Sequence, residues 1–182
     1  MSIKKVLRMG HPLLRKKCDQ LTEEEIRSPK TSTLIRDMYE TMKAEKGIGL
    51  AAPQIGINKQ IAIIELPKES ERYEEVEETA LIVVINPELT ILDEEKQGYW
   101  EGCLSVPGLR GFVKRPRKIK VEFLGPEMEK QVLILEGFLA TVFQHELDHL
   151  FGKLYLDHIE DTTLLSYEEE FYQFFSDEDT IE

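Results

Sequence analysis

One segment limits the architecture more than any other. It runs Glu136-Gly137-Phe138-Leu139-Ala140-Thr141-Val142-Phe143-Gln144-His145-Glu146-Leu147-Asp148-His149-Leu150. Leu139, Phe143, Leu147 and Leu150 recur at helical spacing, and Gly152 stands just beyond as a stop. Phe138 and Val142 add apolar surface on another side. A helix that is apolar on two sides belongs in the interior of its domain. The rest of the chain must therefore wrap around it.

What surrounds that helix reads as antiparallel sheet. Apolar, β-branched runs occupy 60–66 and 80–86, the second closed by Pro87, and continue at 89–92, 118–124 and 130–135. Lys118-Ile119-Lys120-Val121-Glu122-Phe123 alternates strictly, as a half-solvated strand does. The basic cluster Arg110, Lys114, Arg115, Arg117, Lys118 and Lys120 is expected on the wet face of that sheet. Upstream, Thr22 and Glu25 fit a capping box. Leu34, Ile35, Met38 and Met42 mark an amphipathic helix over 31–46, stopped by Gly47. A last helix is expected after Asp161-Thr162, with a fraying tail beyond Ser176. No βα alternation supports a parallel sheet. The fold class expected is α+β, with antiparallel strands packed around a central buried helix.

Length and charge narrow the function. The 182 residues suit one domain, divided here into a catalytic unit, 1–165, and a helix end with an acidic tail, 166–182. No apolar run approaches the ~20 residues that span a bilayer. The N-terminus lacks a signal-peptide core, so the cytoplasm is the expected compartment. Residues 65–79 and 168–182 together hold the whole net charge of −12. An acidic tail repels phosphate, which argues against nucleic acid as its partner. The two cysteines, Cys18 and Cys103, are expected unpaired in a reducing compartment. Cys18 has no motif around it and reads as an incidental or partly buried thiol.

The buried helix also carries the chemistry. His145 and His149, four residues apart, project from one helical face and can chelate a divalent metal ion. Glu146 lies about 60–100° round the helix from either histidine. It sits beside the metal, where it can take a proton from a bound water. Two satisfied core histidines would be the bland account, but a spaced pair with an intervening Glu speaks against it. A tetrahedral site with one open position needs a third protein ligand. His11 in a Gly-His-Pro turn and His158 downstream are poor candidates, and Asp157, Glu160 and Asp161 form no ligand motif. Trp100-Glu101-Gly102-Cys103-Leu104-Ser105 offers a thiol beside a glycine that permits close backbone approach. A thiolate ligand there would complete a Cys-His-His site.

Three separated motifs then make a specific likeness. Gly47-Ile48-Gly49-Leu50-Ala51-Ala52-Pro53-Gln54, Glu101-Gly102-Cys103-Leu104-Ser105 and Gln144-His145-Glu146-Leu147-Asp148-His149 resemble, in order and spacing, those of the peptide deformylases. The likeness extends over about residues 3–160. It implies removal of the formyl group from N-formylmethionyl nascent peptides, with release of formate. It implies Cys103, His145 and His149 as metal ligands, Glu146 as general base and then acid, and Gln54 with the Leu104 N–H as oxyanion donors. Fe(II) is the metal it implies in the cell, with Zn, Ni or Co able to substitute. Ile48, Gly49, Gly102, Phe138 and Val142 are expected to face the substrate, the apolar ones around its methionine. Glu101 and Arg115 are expected to brace the Cys103 loop as an ion pair, and Asp148 to support the ligands from behind.

Two features depart from the pattern. The acidic stretch 69–78 reads as an inserted loop, and the C-terminal end is too acidic to dock on ribosomal RNA. An HExxH endopeptidase would need a downstream third ligand and would leave Cys103 without a role. A non-catalytic metal protein would need a fourth ligand that the chain does not offer.

Overall fold

The structure is a computed structural model that describes residues 2–66 and 80–175. Most of the acidic stretch 65–79, and the tail from 176 onward, lie outside the described residues. Four helices occur among the described residues: α1 (Glu23–Ile26), α2 (Pro29–Ala44), α3 (Gly137–Leu150) and α4 (Glu168–Phe174). The strands are β1 (Gly49–Ala51), β2 (Ile61–Ile64), β3 (Ile82–Cys103), β4 (Val106–Leu124), β5 (Lys130–Glu136) and β6 (Leu165–Tyr167). They form one antiparallel sheet in the order β1-β2-β3-β4-β5, with β6 added to β4. The fold is thus a mixture of helices and antiparallel sheet.

Local chemistry sets the boundaries. Thr22 and Glu25 cap α1 reciprocally, through Glu25 N–H to Thr22 Oγ1 at 3.2 Å and Thr22 N–H to Glu25 Oε2 at 2.9 Å. Ser28 caps α2, with Pro29 at its first position, where a missing N–H costs nothing. The end of α3 is tied down by Cys18, whose N–H donates to Leu150 O at 2.8 Å. There Gly152, at φ +74°, lets the chain pass so close to Arg15 that a Cβ would fall 2.7 Å from its carbonyl carbon.

β2 shows why the core has two sides. All four of its residues are buried, because α3 covers one face and α2 the other. Ala62 and Ile64 join Val84, Val121, Phe143 and Leu147 under α3. Ile61 and Ile63 join Met38, Met42 and Leu50 under α2. From Ala140 to Leu150, only Asp148 of α3 is not fully buried.

Three expectations need correction. Pro87 does not close a strand: the ladder breaks register between Ile85 and Glu88 and resumes, so β3 runs unbroken to Cys103. Such bulges are where a sheet tolerates proline. No helix follows Asp161-Thr162 directly, since a single 3-10 turn (Thr162–Leu164) leads into β6 and only then into α4. The basic cluster is not all wet, for Arg115 is 3% exposed and held by two carboxylates.

Candidate active site

α3 and the tip of the β3–β4 hairpin bring the chemistry together. The Sγ of Cys103 and one ring nitrogen each of His145 and His149 lie within 4.8 Å of one another. Cys103 Sγ is 3.4 Å from His149 Nε2. His145, Glu146 and His149 are all buried. Burial works to raise the Cys103 thiol, but the charges of His149 and His145 beside it prevail and hold it at about 5. A thiol so lowered is a thiolate near neutral pH, the form that binds a metal.

His145 is aimed by a chain of partners, whereas His149 Nδ1 is buried with no hydrogen-bond partner among the described residues. His145 Nδ1 lies 2.7 Å from Glu101 Oε2, as a ring N–H donating to a carboxylate, which leaves Nε2 for the cluster. Glu101 in turn accepts from Arg115 Nε at 2.5 Å and Nη2 at 3.0 Å. Arg115 Nη1 reaches Asp148 Oδ2 at 2.8 Å. Burial would raise the Glu101 carboxyl, yet its bonds to His145 and Arg115 hold it below the usual range. Asp148 thus touches Arg115 rather than a cluster histidine.

Glu146 stands beside the cluster with Oε2 buried and unpartnered among the described residues. Burial pushes its carboxyl upward. The backbone of Gly49 runs against it, where a Cβ would meet Glu146 Oε1 at 2.4 Å. Gln54 is buried, accepts from Ala51 N–H through Oε1 at 2.8 Å, and turns Nε2 toward Ser105 Oγ at 3.1 Å and Cys103 Sγ at 3.6 Å. Leu104 closes over Gly47, where a Cβ would meet its Cδ1 at 2.9 Å. Ile48, Phe138 and Val142 share one apolar cluster with α3. Gly102 lies under the guanidinium of Arg110.

Three contributors are not evident in the sequence. Ser105 anchors Gln54 and donates its N–H to Cys103 Sγ at 3.4 Å. Tyr155 stacks on His145, with centroids 6.0 Å apart and planes inclined by 17°. His158 is no ligand candidate, but its Nε2 sits 2.9 Å from Asp148 Oδ2. The downstream acids that an endopeptidase would draw on are engaged elsewhere. Asp157 holds Leu154 N–H and Arg15, Glu160 holds Lys96, and Asp161 holds Thr163.

A thiol and two imidazoles gathered beside a buried carboxylate have the form of a metal-dependent hydrolase site. The polypeptide deformylase family matches residues 3–164. A peptide deformylase of Leptospira biflexa is 44% identical over 170 residues, 93% of this chain and 95% of that protein. The Met-Ala-Ser-bound class I type b peptide deformylase of Acinetobacter baumannii superposes with a TM-score of 0.82. It is 34% identical, and the match covers 87% of this chain and 99% of that one. The peptide deformylase of Thermotoga maritima follows at 0.77 and 34%, over 88% and 100%. The chain belongs to the polypeptide deformylase family. It is a hydrolase that removes the N-formyl group from nascent polypeptides, as this metal-dependent family does. No helix among the described residues is long and apolar enough to cross a membrane.

Proposed function

We propose that Cys103, His145 and His149 hold one divalent metal ion and that Glu146 handles the protons of deformylation. The observation that carries this is the closeness of three donor atoms, within 4.8 Å, beside a buried carboxylate. The donor set fits: one thiolate and two imidazoles suit Fe, Zn, Co or Ni. The resemblance favours Fe(II) among them. When bound, such an ion polarises a carbonyl and acidifies water.

The chain's own residues do the rest. Glu146 accepts the proton of the attacking water at its free Oε2 and returns it to the departing amine nitrogen. Gln54 Nε2 and the Leu104 N–H donate to the oxygen on which charge develops, and as neutral donors they do not compete with the ligands. β1 is an edge of the sheet, so the formyl-peptide can lie along Ile48 and Gly49 as an added strand, with Gly102 across from it. Ile48, Phe138 and Val142 receive the methionine side chain. Glu101, Arg115 and Asp148 keep the ligands in place from behind.

In this reading antiparallel strands enclose the helix that carries HExxH, residues 1–165 make up the catalytic unit, and 166–182 are appended to it. The partners are N-formylmethionyl peptides in the cytoplasm. The Met-Ala-Ser complex of the Acinetobacter baumannii relative supports a peptide of that kind. A direct test measures formate release from formyl-Met-Ala-Ser by iron-loaded protein prepared without oxygen. Release that persists after Cys103→Ala would refute the ligand set.

A further inference from the structure

The strand end that bears Cys103 has two faces. Tyr99 pairs with Val113 and Glu101 with Gly111, alternating with Trp100 opposite Phe112 and Gly102 opposite Arg110. Neighbouring side chains on a strand point to opposite sides. Glu101 therefore faces α3, where it meets Arg115 and His145, while Trp100 and Arg110 face away.

β6 extends the sheet beside β4 and leads into α4, which covers that outer face; both lie past the 3–164 stretch that matches the family. β6 pairs Leu165, Ser166 and Tyr167 with Gly111, Arg110 and Leu109. The rings of Phe171 and Phe175 stand 5.0 and 5.2 Å from that of Trp100. Glu168 Oε1 accepts from Arg110 Nη2 at 2.5 Å. Arg110 in turn presses on Gly102, where a Cβ would come within 2.3 Å of Nη1. The segment thus grips the residues on either side of Glu101, up to the one that precedes Cys103.

We propose that residues 165–175 clamp the outer face of this strand end and so position Cys103 for the metal. The inference rests on the reading of Cys103 as a ligand given above. Glu101 and Ser105 fix the hairpin tip from within, and the clamp fixes it from without. An unclamped tip would have to be ordered at the moment of metal binding, at a cost in conformational entropy. By linkage, a metal held by Cys103 must tighten the seating of the clamp by the same factor.

Trp100 is the only tryptophan in the chain, so its emission reports the clamp directly. The experiment compares the full chain, a chain ending at Leu164, and full-length Phe171→Ala. Zinc dissociation constants come from chelator competition, folding from far-UV circular dichroism, and clamp seating from Trp100 emission. Both variants should shift the emission to longer wavelength and weaken zinc binding by at least about tenfold, as loss of a group that orients a ligand does. Adding zinc to the metal-free full chain should reduce quenching of Trp100 by acrylamide. If the truncated chain fails to fold, Phe171→Ala carries the comparison. A red-shifted emission with unchanged zinc affinity would overturn the clamp, as would unshifted emission in both variants. Cys103→Ser that binds zinc like the parent would overturn the ligand reading instead, whatever the truncation does.

Discussion

Glu146 and Gly49 share a space that only a glycine leaves open, since a Cβ at Gly49 would lie 2.4 Å from Glu146 Oε1. The carboxylate is thereby confined beside the donor cluster without belonging to it. Glu146→Gln keeps size and hydrogen bonding but accepts no proton. Formate release should fall by about 10²–10⁴-fold, the usual worth of a positioned acid–base group. Cobalt-loaded Glu146→Gln should keep its thiolate-to-metal absorption, and loss of that band would make Glu146 structural. The two thiols differ just as clearly. Burial, with Asp19 adding to it, pushes Cys18 up to about 11, whereas Cys103 sits at about 5. With metal removed by a chelator, a thiol reagent at neutral pH should modify Cys103 first and Cys18 only on unfolding. Peptide mapping by mass spectrometry checks the order, and early labelling of Cys18 would contradict it.

Arg115 ties three elements into one frame, reaching from β4 to Glu101 on β3 and Asp148 on α3. Its side chain is 4% exposed, so truncation takes the guanidinium from the buried Glu101 and leaves the half-buried Asp148 with only His158 among the described residues. Arg115→Ala should lower the stability measured by urea unfolding by about 3–5 kcal/mol. Arg115→Lys should recover little, because an ammonium cannot make the forked contact with Glu101. A loss below about 1 kcal/mol would mean that the frame relaxes without it. The ion pair with Glu101 was legible only through the resemblance, whereas α3 itself was legible from its apolar period. The capping box and α2 were equally plain, because both are local patterns. The reach of β3 and β4 was not, since Pro87, Pro107 and Pro116 punctuate them and the ladder absorbs each one. Tyr155, His158 and Ser105 were silent for another reason. Their roles depend on partners brought near by the fold, such as Ser105 on Gln54, 51 positions away.

At the scale of the whole molecule the net charge of −12 acts beyond any single contact. The acids that produce it are concentrated, and Glu168, Glu169 and Glu170 stand together at the start of α4. That helix packs on the outer face of the strand end leading to Cys103. A chain of this net charge attracts cationic peptides and repels anionic ones at low ionic strength, so a peptide's charge beyond the methionine should matter. At an ionic strength of about 0.01 M, where screening extends to roughly 30 Å, formyl-Met-Lys-Lys should have kcat/KM about tenfold above formyl-Met-Glu-Glu. Near 0.15 M the Debye length contracts to about 8 Å and the gap should narrow. Steering acts on encounter, so kcat should stay nearly equal for the two peptides. A salt series of initial rates decides it. Preference for the acidic peptide would mean that Arg110, close to Gly102, outweighs the acids around it. A gap that salt does not narrow would place the discrimination in direct contacts rather than in the field.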